Sequence, residues 1–182
     1  LNQESVKFFN NPSDLANGFT FPLQFKPNSF RAGNTYTFTL TAYILPAKAI
    51  SASMSMIVNS PPSLGSFAVS PLSGIASGSN SSTLFLLSAP DWLDDLTDLP
   101  LTYEMLYYLV NTTNAVTFTV KVRSQDSITN SYLPPGLSAS NFNVFCFTNV
   151  RDNLGALAVT EIVSVTSELE SGITASAAAA NA

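Results

Sequence analysis

The stretch Asn59-Ser60-Pro61-Pro62-Ser63-Leu64-Gly65-Ser66-Phe67-Ala68-Val69-Ser70-Pro71-Leu72-Ser73-Gly74 decides the fold, together with Phe85, Asp91-Trp92-Leu93-Asp94-Asp95 and Asp98-Leu99-Pro100-Leu101-Thr102-Tyr103-Glu104. A strand over residues 54–58 has to stop at the Pro61-Pro62 pair, because proline brings no N–H to a ladder. A short strand over 67–69 follows, then a proline–glycine turn over 71–74. Trp92, the one tryptophan of the chain, stands in an acidic loop just ahead of a strand that begins at Leu101. One β unit therefore ends at residue 58, and a β-sandwich opens at residue 59.

Downstream, further strands are expected over 83–87, 101–109, 115–123, 141–150 and 157–166. Within 101–109 the residues Leu101, Tyr103, Met105, Tyr107 and Leu109 share one face. Val116, Phe118, Val120 and Val122 are expected to face inward, with Thr117, Thr119, Lys121 and Arg123 facing out. Residues 141–150 are apolar on both faces, which marks a central strand or one that a neighbour covers. Leu133-Pro134-Pro135-Gly136 reads as a loop, and Asn153-Leu154-Gly155 as a hairpin turn. No segment has a helical period.

Upstream, residues 19–25 read as an edge strand interrupted by Pro22. Residues 35–42 alternate strictly: Thr35, Thr37, Thr39 and Thr41 on one face, Tyr36, Phe38, Leu40 and Ala42 on the other. Ser51, Ser53 and Ser55 alternate likewise with Ala52, Met54 and Met56. Such a period of two predicts half-buried antiparallel strands, here a hairpin. A two-sheet sandwich needs about seven strands, so residues 1–58 are expected to be the C-terminal strands of an incomplete sandwich whose earlier strands either precede Leu1, the preferred reading, or come from a partner. The fold class is thus all-β, with fibronectin-III- or immunoglobulin-like sandwich repeats, one incomplete over 1–58 and one nearly complete over 59–168. Residues 169–182, rich in Ala and Ser, read as a tail or linker.

Composition narrows the function. Charged residues make up only 10% and apolar ones 46%, enough to fill a core. Seven Lys and Arg stand against twelve Asp and Glu, a net charge of -5. The cations are scattered, and nucleic-acid binding needs them clustered. The chain has no histidine, which removes Ser–His and Cys–His catalysis and any His-ligated metal from these residues. The single Cys146 cannot form an intrachain disulfide and, lying between Phe145 and Phe147, reads as a small buried hydrophobe. No apolar run is long enough to span a membrane as a helix. A chain that starts at Leu1 with no leader reads as processed or as a piece of a longer one.

The ordered set Val58-Asn59-Ser60-Pro61-Pro62, Gly65, Val69-Ser70-Pro71, Ser73-Gly74, Phe85, Trp92, Asp94 and Pro100-Leu101-Thr102-Tyr103 resembles the receptor-for-egg-jelly (REJ) module of polycystin-like surface proteins. Phe30-Arg31-Ala32-Gly33-Asn34-Thr35-Tyr36-Thr37-Phe38 is similar to the strand pair that precedes it there, and Val150-Arg151-Asp152-Asn153-Leu154-Gly155-Ala156 to its final hairpin. The resemblance covers roughly residues 25–166 and implies extracellular fibronectin-III-like repeats on a large surface protein. The module commonly carries cysteines where Phe67 stands and near Ser88. Both are missing here, with Phe67 filling the space of that bridge. The resemblance also implies a structural role for Trp92, Pro61, Pro62, Gly65, Gly74, Leu101, Tyr103 and Gly155.

The acidic loop offers Asp91, Asp94, Asp95 and Asp98 as oxygen ligands of the kind calcium takes. No Asp-x-Asp-x-Asp-Gly ladder is present, and turn formation around Trp92 is the preferred role of these acids. No other cofactor is expected. Trp92 is expected between the sheets as a core anchor in preference to a sugar platform. The sequons Asn80-Ser81-Ser82 and Asn111-Thr112-Thr113 fall in expected loops, where N-glycans are tolerated.

These readings lead to a non-catalytic extracellular structural or adhesion segment of a larger REJ-containing protein, on a cell surface or a flagellar or ciliary one. Its expected partners are neighbouring β-sandwich domains of the same or associated chains, and glycans. Nucleic acid is not among them, and the segment is not expected to span a membrane. The alternative is a glycan- or protein-binding module that uses Trp92 and the loop residues beside it.

Overall fold

The computed structural model describes residues 24–27, 29–44, 48–78 and 81–170. The chain divides into two compact units, Leu1–Arg31 and Ala32–Ala182. In the first, Ser29 closes a turn on the Lys26 carbonyl (N–H at 3.2 Å, Oγ–H at 2.7 Å), and the rings of Phe25 and Phe30 meet edge to face at 4.6 Å. The expected strand over 19–25 falls mainly outside the described residues, and Gln24 and Phe25 are not in a strand.

The second unit opens with a hairpin of β1 (Thr35–Ile44) and β2 (Lys48–Ile57), paired antiparallel from Thr35↔Ile57 to Ile44↔Lys48. The alternation of the sequence appears as two chemically distinct faces. On one, the hydroxyls of Thr37–Ser55, Thr39–Ser53 and Thr41–Ser51 hydrogen-bond across the pair at 2.9, 2.8 and 3.0 Å. On the other, Tyr36 faces Met56, Phe38 faces Met54 and Leu40 faces Ala52. These strands were expected to be half-buried. Tyr36 and Phe38 are, but β2 is exposed along its length, with Met54 65% accessible.

The rest of the unit is a sandwich of two open sheets. One is β3 (Ala68–Ser70), β5 (Leu84–Ser88) and β8 (Ile128–Tyr132), in that order. The other runs β4 (Ser73–Ile75), β11 (Val163–Glu168), β9 (Asn143–Arg151), β6 (Thr102–Tyr108), β7 (Phe118–Ser124), with β10 (Leu157–Val159) also on β9. All pairs are antiparallel except β4 with β11, which is parallel. The core between the sheets takes Val69, Phe85 and Leu87 from the small sheet, and Tyr103, Met105, Val144, Cys146, Val150 and Val165 from the large one. Phe67 packs against this core, and the β3–β5 register, Ala68↔Ser88, places residues 67 and 88 close together. The all-β sandwich read from the sequence is the architecture found. No helix among the described residues is long and apolar enough to cross a membrane.

The apolar-on-both-faces stretch is the central strand β9. Val144, Cys146, Thr148 and Val150 point into the core at 0% exposure, and Phe145 and Phe147 lie half-buried on the other face. There Tyr108 stacks on Phe145 at 5.3 Å.

Strand β7 departs from expectation. Val116, Phe118 and Val122 are 69%, 43% and 75% exposed, and only Val120 reaches the core. The cause is register. Between Tyr103↔Ser124 and Met105↔Lys121, and again between Met105 and Leu106↔Thr119, β7 carries an extra residue. Each extra residue flips which side chains face in, so the simple alternation over 116–122 fails. Phe118 instead stacks on Tyr107 at 5.2 Å.

Candidate functional site

Three loops of the second unit meet at one end of the large sheet: residues 59–66 after β2, 90–98 before β6 and 152–156 after β9. Ser63 and Leu93 form an isolated bridge with reciprocal N–H···O bonds of 2.9 and 3.0 Å, and Ser66 N–H donates to the Pro90 carbonyl at 3.1 Å. Leu64 (φ 66°) and Asp91 (φ 65°) take left-handed backbone at these bends, a conformation costly for residues with a Cβ and held here by the surrounding bonds.

Trp92 fastens the first two loops. Its ring packs against the core cluster, its Nε1–H donates to the Ser66 carbonyl at 3.2 Å, and its face lies directly over Gly65. The indole is half-buried, so the expected core anchor is found at the margin of the core, with its polar handle satisfied by backbone. Pro62 is buried and Pro61 exposed, which sets the bend at the strand exit.

The acidic residues divide. Asp91 and Asp95 are exposed and stand apart. A 3₁₀ turn at Leu96–Asp98 swings Asp98 inward, where it is 7% exposed and accepts the Thr97 hydroxyl at 2.9 Å. Asp94 Oδ1 accepts the Asp95 N–H at 2.9 Å. The third member is Asp152, 5% exposed, in the β9–β10 turn. Its Oδ1 accepts the Ala156 N–H at 2.9 Å and its Oδ2 accepts Asn59 Nδ2–H at 2.5 Å. One carboxylate oxygen from each of Asp94, Asp98 and Asp152 falls within 4.8 Å of the others. Asn153 N–H donates to the Asp98 carbonyl at 2.8 Å and clips the two loops together. Burial, then the negative charges of Asp152, Asp98 and Asp95, push the Asp94 carboxyl above its ordinary range, against the pull of the Asp95 N–H. Beside Asp94 a surface depression of about 230 Å³ is lined by Ser60, Pro61, Ser63, Leu93, Asp94 and Asp95.

Of the four acids read from the sequence, the fold thus brings Asp94 and Asp98 together and leaves Asp91 and Asp95 outside. Asp152 and Asn59 were not anticipated. Their signal is the β6–β9 register, Thr102↔Arg151, which sets the 152 turn beside the approach to β6.

The other singled-out residues fall in four groups. Leu101 and Tyr103 are core residues at 7% and 9% exposure. Gly74 lies against Thr83, where a Cβ would collide, and Gly155 holds φ +92° in the β9–β10 turn. Asn111 is exposed in the β6–β7 loop, its Oδ1 accepting the Tyr108 hydroxyl at 3.3 Å, and Asn80 lies outside the described residues. Cys146 is fully buried, and burial pushes its thiol up to about 12, the opposite of what activates a nucleophile.

A comparison with curated proteins finds no match. The family model described as the REJ domain matches residues 2–172. That span takes in the loops around Trp92, the acidic cluster and every strand of the sandwich, and the chain belongs to the REJ domain family.

Proposed function

We propose that this chain is a non-catalytic extracellular segment of a larger REJ-containing surface protein, and that it spaces or assembles surface structures. The observation that carries the reading is the use made of Trp92. A sugar platform needs an aromatic face open beside a groove. Here that face covers Gly65, the ring edge packs on the core, and the N–H is spent on the Ser66 carbonyl. The neighbouring depression is lined by other residues. The side chain best equipped to bind is built into the framework.

The burial of Cys146 and the lack of any histidine support the non-catalytic part. The REJ family supports the extracellular placement, and the partners we propose are neighbouring β-sandwich domains of the same or associated chains. The test uses Trp92 as the only indole in the chain. Titration with a panel of N- and O-linked oligosaccharides is expected to leave its emission unchanged, while Trp92→Phe lowers the thermal midpoint. A saturable emission change with any of the sugars, matched by calorimetric binding that is lost in Trp92→Phe, overturns the scaffold reading in favour of a glycan-binding module.

A further inference from the structure

The outer edge of a sheet is a row of open N–H and C=O groups ready to take another strand. Folds guard such edges with short strands, bulges, proline or charge. The ends of both sandwich sheets are guarded. β3 and β4 have three residues each and β8 five, and β7 carries two register shifts together with Lys121 and Arg123. Strand β2 has none of these devices. It runs ten residues beside β1 without a register shift, holds no proline, and has one charge, Lys48, at its first residue. Every residue in it is exposed, and among the described residues it pairs with β1 alone.

The foot of the hairpin tells which groups are open. Val58 N–H donates to the Asn34 carbonyl at 2.9 Å, in step with the register that runs unbroken from Thr35↔Ile57. Bonding groups alternate in direction along a strand. The even-numbered residues of β2 therefore turn their N–H and C=O towards β1, and the odd-numbered ones turn theirs outward. The open row is Ala49, Ser51, Ser53, Ser55 and Ile57. Ser51, Ser53 and Ser55 also carry the hydroxyl face, bonded across to Thr41, Thr39 and Thr37, while Ile50, Ala52, Met54 and Met56 lie on the apolar one.

We propose that this chain dimerises through the open edge of β2, which pairs antiparallel with β2 of a second copy about a two-fold axis and makes one sheet in the order β1-β2-β2-β1. Length selects the occupant first, since no edge of the sandwich offers ten unbroken residues. Pattern selects it again. Opposite residues of an antiparallel pair share a face, and the two-fold axis opposes residues of equal parity, so hydroxyl meets hydroxyl and apolar meets apolar. With Ser53 on the axis, Ser51 lies opposite Ser55, Ala52 opposite Met54 and Ile50 opposite Met56. Charge is the third feature. No acidic residue lies in either strand of the hairpin, and the two copies of Lys48 fall at opposite ends of the pair. At about 3.3 Å per residue they stand about 33 Å apart, beyond a Debye length of about 8–10 Å. A self-complementary contact of this kind closes at two copies. The inference stands apart from the scaffold reading, since a glycan-binding module would pair through this edge equally well.

The test is sedimentation of the 182-residue chain over concentrations of about 2–200 µM, where a monomer–dimer equilibrium with a dissociation constant of about 10–100 µM is expected for so narrow a contact. Amide exchange on the same samples locates it. The N–H groups of Ser51, Ser53 and Ser55 are expected to slow as concentration rises, while those of Ala52 and Met54, bonded to β1, are protected alike throughout. Ser53→Lys and Ser53→Glu each weaken the dimer at least about tenfold, because like charges then meet at the axis. Mixed in equal amounts, the two variants dimerise again. Val122→Lys, at a 75% exposed position on β7, leaves the dimer unchanged. A chain still monomeric at about 200 µM overturns the proposal and leaves the edge to a strand of another protein. Ser53 variants that dimerise separately or fail to restore each other, or a dimer lost in Val122→Lys, overturn the choice of edge. The exchange pattern, read on the unsubstituted chain, decides the case if a variant does not fold: Ser51, Ser53 and Ser55 unchanged between monomer and dimer overturn the pairing.

Discussion

Adding one methyl group at Gly65 tests whether Trp92 is a clamp. Gly65 does not have the positive φ that only glycine tolerates well, so by backbone entropy alone Gly65→Ala is expected to stabilise the fold, by about 0.4–1 kcal/mol. Packing acts the other way. The new Cβ would stand 2.2 Å from Cγ and Cδ2 of the indole, against a normal carbon–carbon contact of about 3.5–4.0 Å. The ring has to retreat by more than about 1 Å, and these are atoms at the root of the side chain, so it cannot do so by flexing a tip. Overpacking of this kind costs about 1–3 kcal/mol, and loss of the Nε1–H bond to Ser66 adds about 1 kcal/mol. After the entropy gain, the net destabilisation is about 1–3.5 kcal/mol. Urea unfolding followed by the emission of Trp92 measures it: the midpoint falls at constant slope and the native emission shifts to the red. In a Trp92→Ala background, where unfolding is followed by circular dichroism because the only tryptophan is gone, the same substitution is expected to be neutral or stabilising, which makes the coupling between the two sites about as large as the single effect. Equal cost in both backgrounds, or no cost in the first, refutes the clamp.

Two further outcomes are expected. The Cys146 thiol is raised from 9.0 to about 12, so folded and unfolded chains are both protonated below a pH of about 9, and its contribution is complete there. Above that pH the unfolded state ionises first, and stability falls by about 1.4 kcal/mol per unit towards about pH 12, some 4 kcal/mol in all. Burial raises Tyr103, Tyr107 and Tyr108 in the same direction. Urea midpoints between pH 8 and 11 are expected to fall less steeply in Cys146→Ala, and parallel slopes would disprove the assignment. For the exposed sequon at Asn111, peptide mapping of natively secreted material is expected to find hexose on that asparagine, and uniformly bare Asn111 counts against the extracellular placement.

What the sequence disclosed, and what it hid, follows from how local each feature is. The faces of β1 and β2 were legible because Thr and Ser alternate with apolar residues without a slip. The centrality of β9 was legible because Val144, Phe145, Cys146, Phe147 and Val150 cover both faces of one strand. Strand β4 read as part of a turn, since Ser73-Gly74-Ile75 has no strand signal of its own and becomes a strand only by pairing with β11. Strand β8, Ile128-Thr129-Asn130-Ser131-Tyr132, was missed because polar residues dominate it and β5 recruits it. The acidic site was half legible. Asp94 and Asp98 share one loop, but Asp152 reaches them only through the pairing of β6 with β9, a relation between distant segments that periodicity cannot express.

The parallel pairing of β4 with β11 has a mechanical consequence. Thr166, Ser167 and Glu168 lie alongside Ser73, Gly74 and Ile75, and the ladder is extended by Ala76 N–H to the Glu168 carbonyl at 2.7 Å and Thr166 N–H to the Leu72 carbonyl at 2.9 Å. These strands come from opposite ends of the sandwich sequence yet point the same way. Tension entering ahead of β3 and leaving after β11 would therefore drag the two strands past each other along their length, loading the whole row of bonds at once in shear. A hairpin such as β1–β2, pulled by its ends, peels open one bond at a time. Under force, then, the sandwich is expected to hold as a stiff link while the Thr–Ser hairpin gives way first.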